Sequence, residues 1–167
     1  MLKVLIADDE EKICQLIIKL INWEEMGLKI AATASNGIEA LEQAKICKPE
    51  ILITDIRMPG IDGMELIRKV KEKLPDTEII IISGYRHFEY AQTAIRYGVR
   101  NYLLKPIKKE ELRDTLQKIA DINREKNEQL NFEERVRLAL KNDAGKLRTS
   151  FISRMIYGDR ERENIIS

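Results

Sequence analysis

The sequence predicts an α/β protein: a doubly wound, five-stranded parallel sheet with a C-terminal helical extension. Three observations predict it. Five short apolar runs recur between Lys3 and Leu104. The stretches between them repeat apolar residues at helical spacing. Runs such as Ile79–Ile82 are apolar without interruption, as strands covered on both faces are.

The first run is Lys3–Ala7, followed by a helical pattern in which Ile13, Leu16, Ile17 and Leu20 share a face. The connection Asn22–Gly27 is longer than a minimal helix-to-strand loop and holds the single tryptophan. Trp23 and Met26 are expected to fold down as an apolar cover. Leu28–Ala34 is the second strand, and Asn36-Gly37 turns the chain into a helix marked by Ile38, Leu41 and Ala44. Ile51–Thr54 is the third strand. The turn signal Pro59-Gly60 follows it, then a helix with Leu66, Ile67 and Val70 inward, ended by Pro75-Asp76. Glu78–Ile82 is the fourth strand. The helix after it carries Phe88, Ala91, Ala94 and Ile95 and stops at Gly98. Asn101–Leu104 is the fifth strand, and Leu112, Leu116 and Ile119 mark a fifth helix.

Beyond that the pattern changes. Residues 121–167 are charge-rich and poor in β-branched runs. Phe132, Val136 and Leu140 share one helical face, and Leu147, Phe151, Ile152, Met155 and Ile156 form a second amphipathic stretch. Residues 1–120 are therefore read as one domain and 121–167 as a helical linker whose apolar stripes need a partner.

Composition narrows the function classes. The 167 residues hold 29 Lys and Arg against 28 Asp and Glu, a net charge of +1, so nothing indicates a nucleic-acid-binding footprint. No apolar run reaches the roughly 18 residues of a membrane helix. Acids follow the N-terminus within a few residues, unlike a signal peptide. A cytoplasmic protein without membrane attachment is expected. Cys14 and Cys47 lack metal-ligand spacing and are read as packing residues. His87, alone, is read as a surface residue at a helix start.

The chemistry collects at strand ends, where ligands bind in open parallel sheets. Asp8 and Asp9 end the first run, Asp55 the third, Ser83 the fourth and Lys105 the fifth. If the first and third strands are neighbours, the carboxylates converge. Crowded carboxylates repel unless a cation is present. A hard ion such as Mg²⁺ suits carboxylate oxygens completed by water and a phosphate. Lys105 then offsets remaining charge, and Lys105 and Ser83 can hold phosphoryl oxygens. The nucleophile is a carboxylate giving an acyl phosphate, with Asp55 the central candidate. Taken singly, each residue has a plainer explanation. Asp55 is also a turn or capping aspartate, Asp8-Asp9 an N-cap pair, Ser83 a turn hydroxyl and Lys105 a solvated charge. The joint occurrence is what carries the argument.

Asp8-Asp9-Glu10, Asp55-Ile-Arg-Met-Pro-Gly-Ile-Asp-Gly63, Ser83-Gly84 and Lys105-Pro106, in that order and spacing, resemble the receiver domain of two-component response regulators. The resemblance covers residues 1 to about 120. It implies a flavodoxin-like sheet of order 2-1-3-4-5. It also implies phosphorylation of Asp55 by a sensor histidine kinase, and Mg²⁺ held by Asp8, Asp9, Asp55 and the backbone carbonyl of Arg57. Ser83 and Tyr102 match the switch hydroxyl and switch aromatic, and Lys105 the phosphate-pairing lysine, with a cis bond to Pro106. From its position alone, Tyr102 reads as a half-buried strand aromatic. Asn22-Trp23-Glu24, Ala34-Ser35-Asn36-Gly37 and Ser83-Gly-Tyr-Arg-His-Phe-Glu-Tyr-Ala91 are similar to AraC-type, YesN-like regulators. That similarity implies a DNA-binding domain downstream, absent from this chain, and homodimerisation on phosphorylation. The expected activity is that of a self-phosphorylating switch, not a turnover enzyme. The rival is a Mg²⁺-dependent hydrolase working through an aspartyl phosphate. A common hydrolase pattern has a second Asp two positions after the nucleophile, where this chain has Arg57.

Overall fold

A computed structural model describes residues 1–84 and 88–142. Tyr85 to His87 of the Ser83–Ala91 motif and the amphipathic stretch from Leu147 to Ile156 lie outside the described residues, as does the side chain of Phe88. The elements are β1 (Leu2–Ala7), α1 (Glu11–Leu20), β2 (Leu28–Ala34), α2 (Gly37–Cys47), β3 (Ile51–Thr54), α3 (Gly63–Lys73), β4 (Glu78–Ser83), α4 (Phe88–Arg96), β5 (Asn101–Leu104) and α5 (Lys109–Asn142). The five strands form one parallel sheet of order β2-β1-β3-β4-β5. The chain divides into two compact units, Met1–Asp121 and Ile122–Ser167. Of the second, only residues 122–142 are described, where Ile122, Leu130, Phe132 and Leu138 are exposed.

The period-two geometry of strands explains the core. Val4 and Ile6 face one side of β1 and Leu5 and Ala7 the other. On one face they join Ile17, Trp23, Leu28, Ile53, Ile80, Leu112 and Leu116. On the other they join Ala40, Ala44, Leu52, Leu66, Ile67, Ile79 and Ile81. Both clusters are buried, so β1, β3 and β4 read as continuous apolar runs. Each fully buried Leu or Ile contributes on the order of 2–3 kcal/mol. Trp23 packs into the first cluster with Met26 against it, and its indole N–H donates to the carbonyl of Ile18 at 3.0 Å. Among the described residues no helix is long and apolar enough to cross a membrane.

Three helix faces differ from expectation. On α1 the sheet takes Cys14 and Ile17, with Ile21 beyond the helix end, while Leu16 is 41% exposed. The apolar residues of α1 cover more than one stripe, and only packing against β1 selects between them. On α2 the buried positions are Gly37, Ala40 and Ala44, and Ile38 is exposed. Small side chains there let the helix sit close to the sheet. On α4, Ala94 is buried and Ile95 faces outward.

The assigned α1 face is directly testable. Ile17→Ala is expected to cost about 2–5 kcal/mol of unfolding free energy, the usual range for emptying a core site. Leu16→Ala should cost no more than about 0.5–1 kcal/mol. Urea denaturation of both variants reads the difference, and equal losses would overturn the assignment.

Candidate functional site

The parallel ladder runs one residue beyond three strands. Asp8 N–H donates to the carbonyl of Ala34 at 3.0 Å, Asp55 N–H to Ala7 at 3.0 Å, and Lys105 N–H to Ser83 at 2.9 Å. These bonds bring the three side chains to the same edge of the sheet. Lys105 Nζ reaches across the end of β4 and donates to Asp55 Oδ2 at 2.9 Å and to Asp8 Oδ2 at 3.1 Å. Asp8 and Asp55 are buried, and the Lys105 side chain is 17% exposed. Lys105 is therefore no solvated surface charge. Its bond to Pro106 is cis.

The remaining carboxylate oxygens are also held. Asp55 Oδ1 accepts the N–H of Ile56 at 2.6 Å. Asp8 Oδ1 accepts the N–H of Glu10 at 2.9 Å. The N-cap of α1 is Glu10, with no side-chain capping bond, so Asp8 and Asp9 are not the caps of that helix. Asp9 is exposed. Ligand-capable oxygens of Asp8, Asp9 and Glu10 lie within 4.8 Å of one another. Glu10 was not anticipated as part of the site; three consecutive acids at a strand end were the available signal. Asp55 is joined to this trio through Lys105. Arg57 is exposed and lines a shallow depression with Asp9, Met58, Pro59 and Asp62.

Ser83 is fully buried at the end of β4, and Tyr102 is half-buried on β5, the next strand. The Ser83 hydroxyl is close enough to act on the Tyr102 phenol. Burial raises the Tyr102 phenol above its ordinary pKa, with Ser83 pulling the other way. Tyr90 and Tyr97 of the α4 region are half-buried and, like Tyr102, packed on the second core cluster.

The charges do not balance. Burial pushes the Asp8 carboxyl above the usual carboxylate pKa, despite the Glu10 N–H and the Lys105 ammonium. Burial alone would lower Lys105; the hydrogen bond and charge of Asp55, joined by Asp8, outweigh it and hold its pKa above the ordinary lysine value. Among the described residues, the Lys105 ammonium thus serves two buried carboxylates, and the carboxylates of Asp9 and Glu10 lie close to that of Asp8. All-oxygen donors with excess negative charge fit a hard divalent cation.

A receiver-domain model, described as response regulator receiver domain, matches residues 4–117. The transcriptional regulatory protein YesN of Bacillus subtilis is 40% identical over 139 residues, 80% of this chain and 38% of that protein. HptR, a transcriptional regulatory protein of Staphylococcus aureus, is 40% identical over 107 residues, 64% of this chain and 42% of its own length. The chain thus spans about two fifths of the curated relatives it matches. Among solved structures, the REC domain of AraT, a response regulator from Geobacillus stearothermophilus, superposes with a TM-score of 0.72 at 41% identity, covering 75% of this chain and 98% of that one. A two-component transcriptional regulator AraC from Clostridium phytofermentans gives 0.68 at 36% identity, covering 72% and 94%.

The Asp8 environment generates a pH-dependent prediction. A pKa raised in the folded state means that protonation favours folding. The contribution is complete below the unfolded value and is lost as pH rises through the folded one. Ionising Asp8 in the metal-free protein therefore costs folding free energy. Asp8→Asn keeps an acceptor for Glu10 N–H and should raise the metal-free melting temperature at pH 7, by about 2–4 °C per kcal/mol at this size. The gain should vanish below pH 3.8, the ordinary aspartate value. Circular dichroism melts at the two pH values check it, and a lower midpoint at pH 7 would show the opposite sign.

Proposed function

Since the chain belongs to the family of response regulator receiver domains, we propose that it is a phosphoryl-accepting switch with Asp55 as the phosphorylated residue. The observation that carries this reading is the Lys105 ammonium held between the Asp55 and Asp8 carboxylates. Asp55 Oδ forms a bond to the phosphorus of a phosphohistidine on a sensor histidine kinase. The P–N bond breaks, and its electron pair leaves with the imidazole. Ile56 N–H and Lys105 fix the Asp55 rotamer beforehand. Asp8, Asp9, Asp55 and the Arg57 carbonyl would hold Mg²⁺, with Glu10 close by. The ion, when bound, neutralises phosphoryl oxygens and relieves the crowding of the acids. Lys105 pairs with the transferred group.

The same geometry supports a route outward. A phosphoryl group on Asp55 is a strong acceptor beside Ser83. The Ser83 hydroxyl turns from Tyr102 toward it, and Tyr102 moves into the vacated space. Tyr102 then alters the face formed with Tyr90, Arg96, Tyr97, Lys109 and Asp114, through which two copies associate symmetrically. In the cytoplasm, the longer protein would pass this change through the helix beyond residue 121 to a DNA-binding domain.

Incubation with acetyl phosphate and Mg²⁺, followed by intact mass, tests the central claim. The wild type should gain one phosphoryl group that persists, and Asp55→Asn should gain none. Uptake by Asp55→Asn at the wild-type rate would overturn the assignment, and continuous turnover without a stable adduct would favour a hydrolase. For the dimer, sedimentation with and without beryllofluoride should show association only in its presence. An unchanged monomer at high concentration would remove dimerisation as the output.

A further inference from the structure

The loop between β3 and α3 is gripped at both ends by glycines on different elements. At its far end, Gly63 N–H donates to the carbonyl of Ile56 at 2.6 Å. A Cβ on Gly63 would sit 2.8 Å from Ile56 Cα and collide with the Asp55 carbonyl. The second grip comes from α2. Gly37, its first residue, is buried, and a Cβ there would collide with the backbone carbonyl of Ile61, its carbon 2.9 Å away. Ile38, the next residue, lies over Gly60, with Cδ1 3.1 Å from where a Gly60 Cβ would be. Ile38 is exposed on α2, and its side chain reaches toward the loop at Gly60.

The gripping end of α2 is itself fixed. Asn36 Oδ1 accepts the N–H of Glu39 at 2.8 Å, and Glu39 Oε2 accepts the Ser35 N–H at 3.2 Å and its hydroxyl at 3.1 Å. This reciprocal capping leaves the first turn little freedom. The conflict at Gly37 is with main chain, so no rotamer change relieves it. Any side chain at that position must move the helix or the loop.

We propose that Gly37 is a positioning residue for the site: by lacking a side chain it lets the N-terminus of α2 seat directly on Ile61, and this holds the 56–62 backbone, including the Arg57 carbonyl, in place for the metal. The inference deepens the receiver reading and rests on it. Gly37 touches neither the metal nor the phosphoryl group and acts through the loop alone.

The test compares Mg²⁺ affinity, followed by NMR shifts of the pocket amides, with phosphoryl uptake from acetyl phosphate and thermal stability. Gly37→Ala should raise the Mg²⁺ Kd by about tenfold or more, the scale seen when groups behind a metal ligand are disturbed. Phosphoryl uptake should slow at low Mg²⁺ and recover as Mg²⁺ is raised. Gly27→Ala is the control for stability loss. Its φ is +71°, so alanine is strained there, but a Cβ would meet nothing within 4 Å. It should lose stability and keep Mg²⁺ affinity. If Gly37→Ala does not fold, Ile38→Ala decides, since it removes an exposed side chain from Gly60. It should weaken Mg²⁺ binding by a smaller factor with the fold intact. Unchanged Mg²⁺ affinity in Gly37→Ala, or in Ile38→Ala where Gly37→Ala fails to fold, overturns the proposal while the wild type still binds Mg²⁺ and takes up phosphoryl. A wild type that does neither overturns the receiver reading, and the positioning role falls with it.

Discussion

The site depends on one constraint: Asp8, Asp55 and Lys105 each spend their own N–H on the last rung of a parallel ladder. Their side chains cannot drift apart without breaking sheet hydrogen bonds. Two carboxylates are therefore held where like charges repel, and Lys105 is held where it must serve both. A one-residue slip of β1 or β3 would send the carboxylate to the opposite side of the sheet. The apolar alternation of both strands, buried on both faces, opposes such a slip. Core packing and site geometry are thus one problem, because the Ile and Val side chains that fix the register also fix the chemistry. Removing Lys105 would leave buried charge without its partner, a change that typically costs about 3–5 kcal/mol.

What was legible in the sequence follows from the same logic. Uninterrupted runs such as Ile79–Ile82 announce strands covered on both sides, and acids placed just after such runs announce the carboxyl edge. Both signals are local. Helix faces were less legible, because α1 offers apolar residues on more than one stripe and the sheet, not the helix, chooses Ile17 over Leu16. On α2 the choice went to glycine and alanine, which carry little hydrophobic signal, while Ile38 serves the loop instead. The contact of Gly37 with Ile61 joins residues far apart in sequence and involves no side chain on the glycine. No pattern of residue types reveals it. Glu10 was visible as a third acid, but its proximity to Asp8 and Asp9 comes from the bend in which Asp8 accepts its N–H.

The closeness of Ser83, at the end of β4, to Tyr102, on the adjacent β5, gives the proposed switch a physical form. A ligand shifts an equilibrium only by interacting differently with its two states. Here the difference lies in a single hydroxyl. Ser83 is fully buried, so its hydroxyl needs a partner, and it is close enough to Tyr102 to act on the phenol. A phosphoryl oxygen at Asp55 would be a stronger, charged acceptor for the same donor. The phenol, losing Ser83, must find another partner or move. Tyr102, Tyr90 and Tyr97 are all half-buried against the second core cluster, so in the proposed switch a displaced Tyr102 would have a path to the surface.

The metal-free site is consequently built with a deficit that only an incoming group removes. Among the described residues one ammonium, that of Lys105, is bonded to its acids, burial raises Asp8, and Gly37 and Gly63 sit where a Cβ would collide with the loop backbone. Pre-positioned donors avoid the cost of ordering at the moment of binding. In the proposed site few protein oxygens would converge on a cation, and water would fill the rest of its shell. A site that held its cation tightly would neutralise the acids permanently and leave less difference between the two states. In the proposed switch, the burial that disfavours ionised Asp8 is what an incoming cation and phosphoryl group would offset.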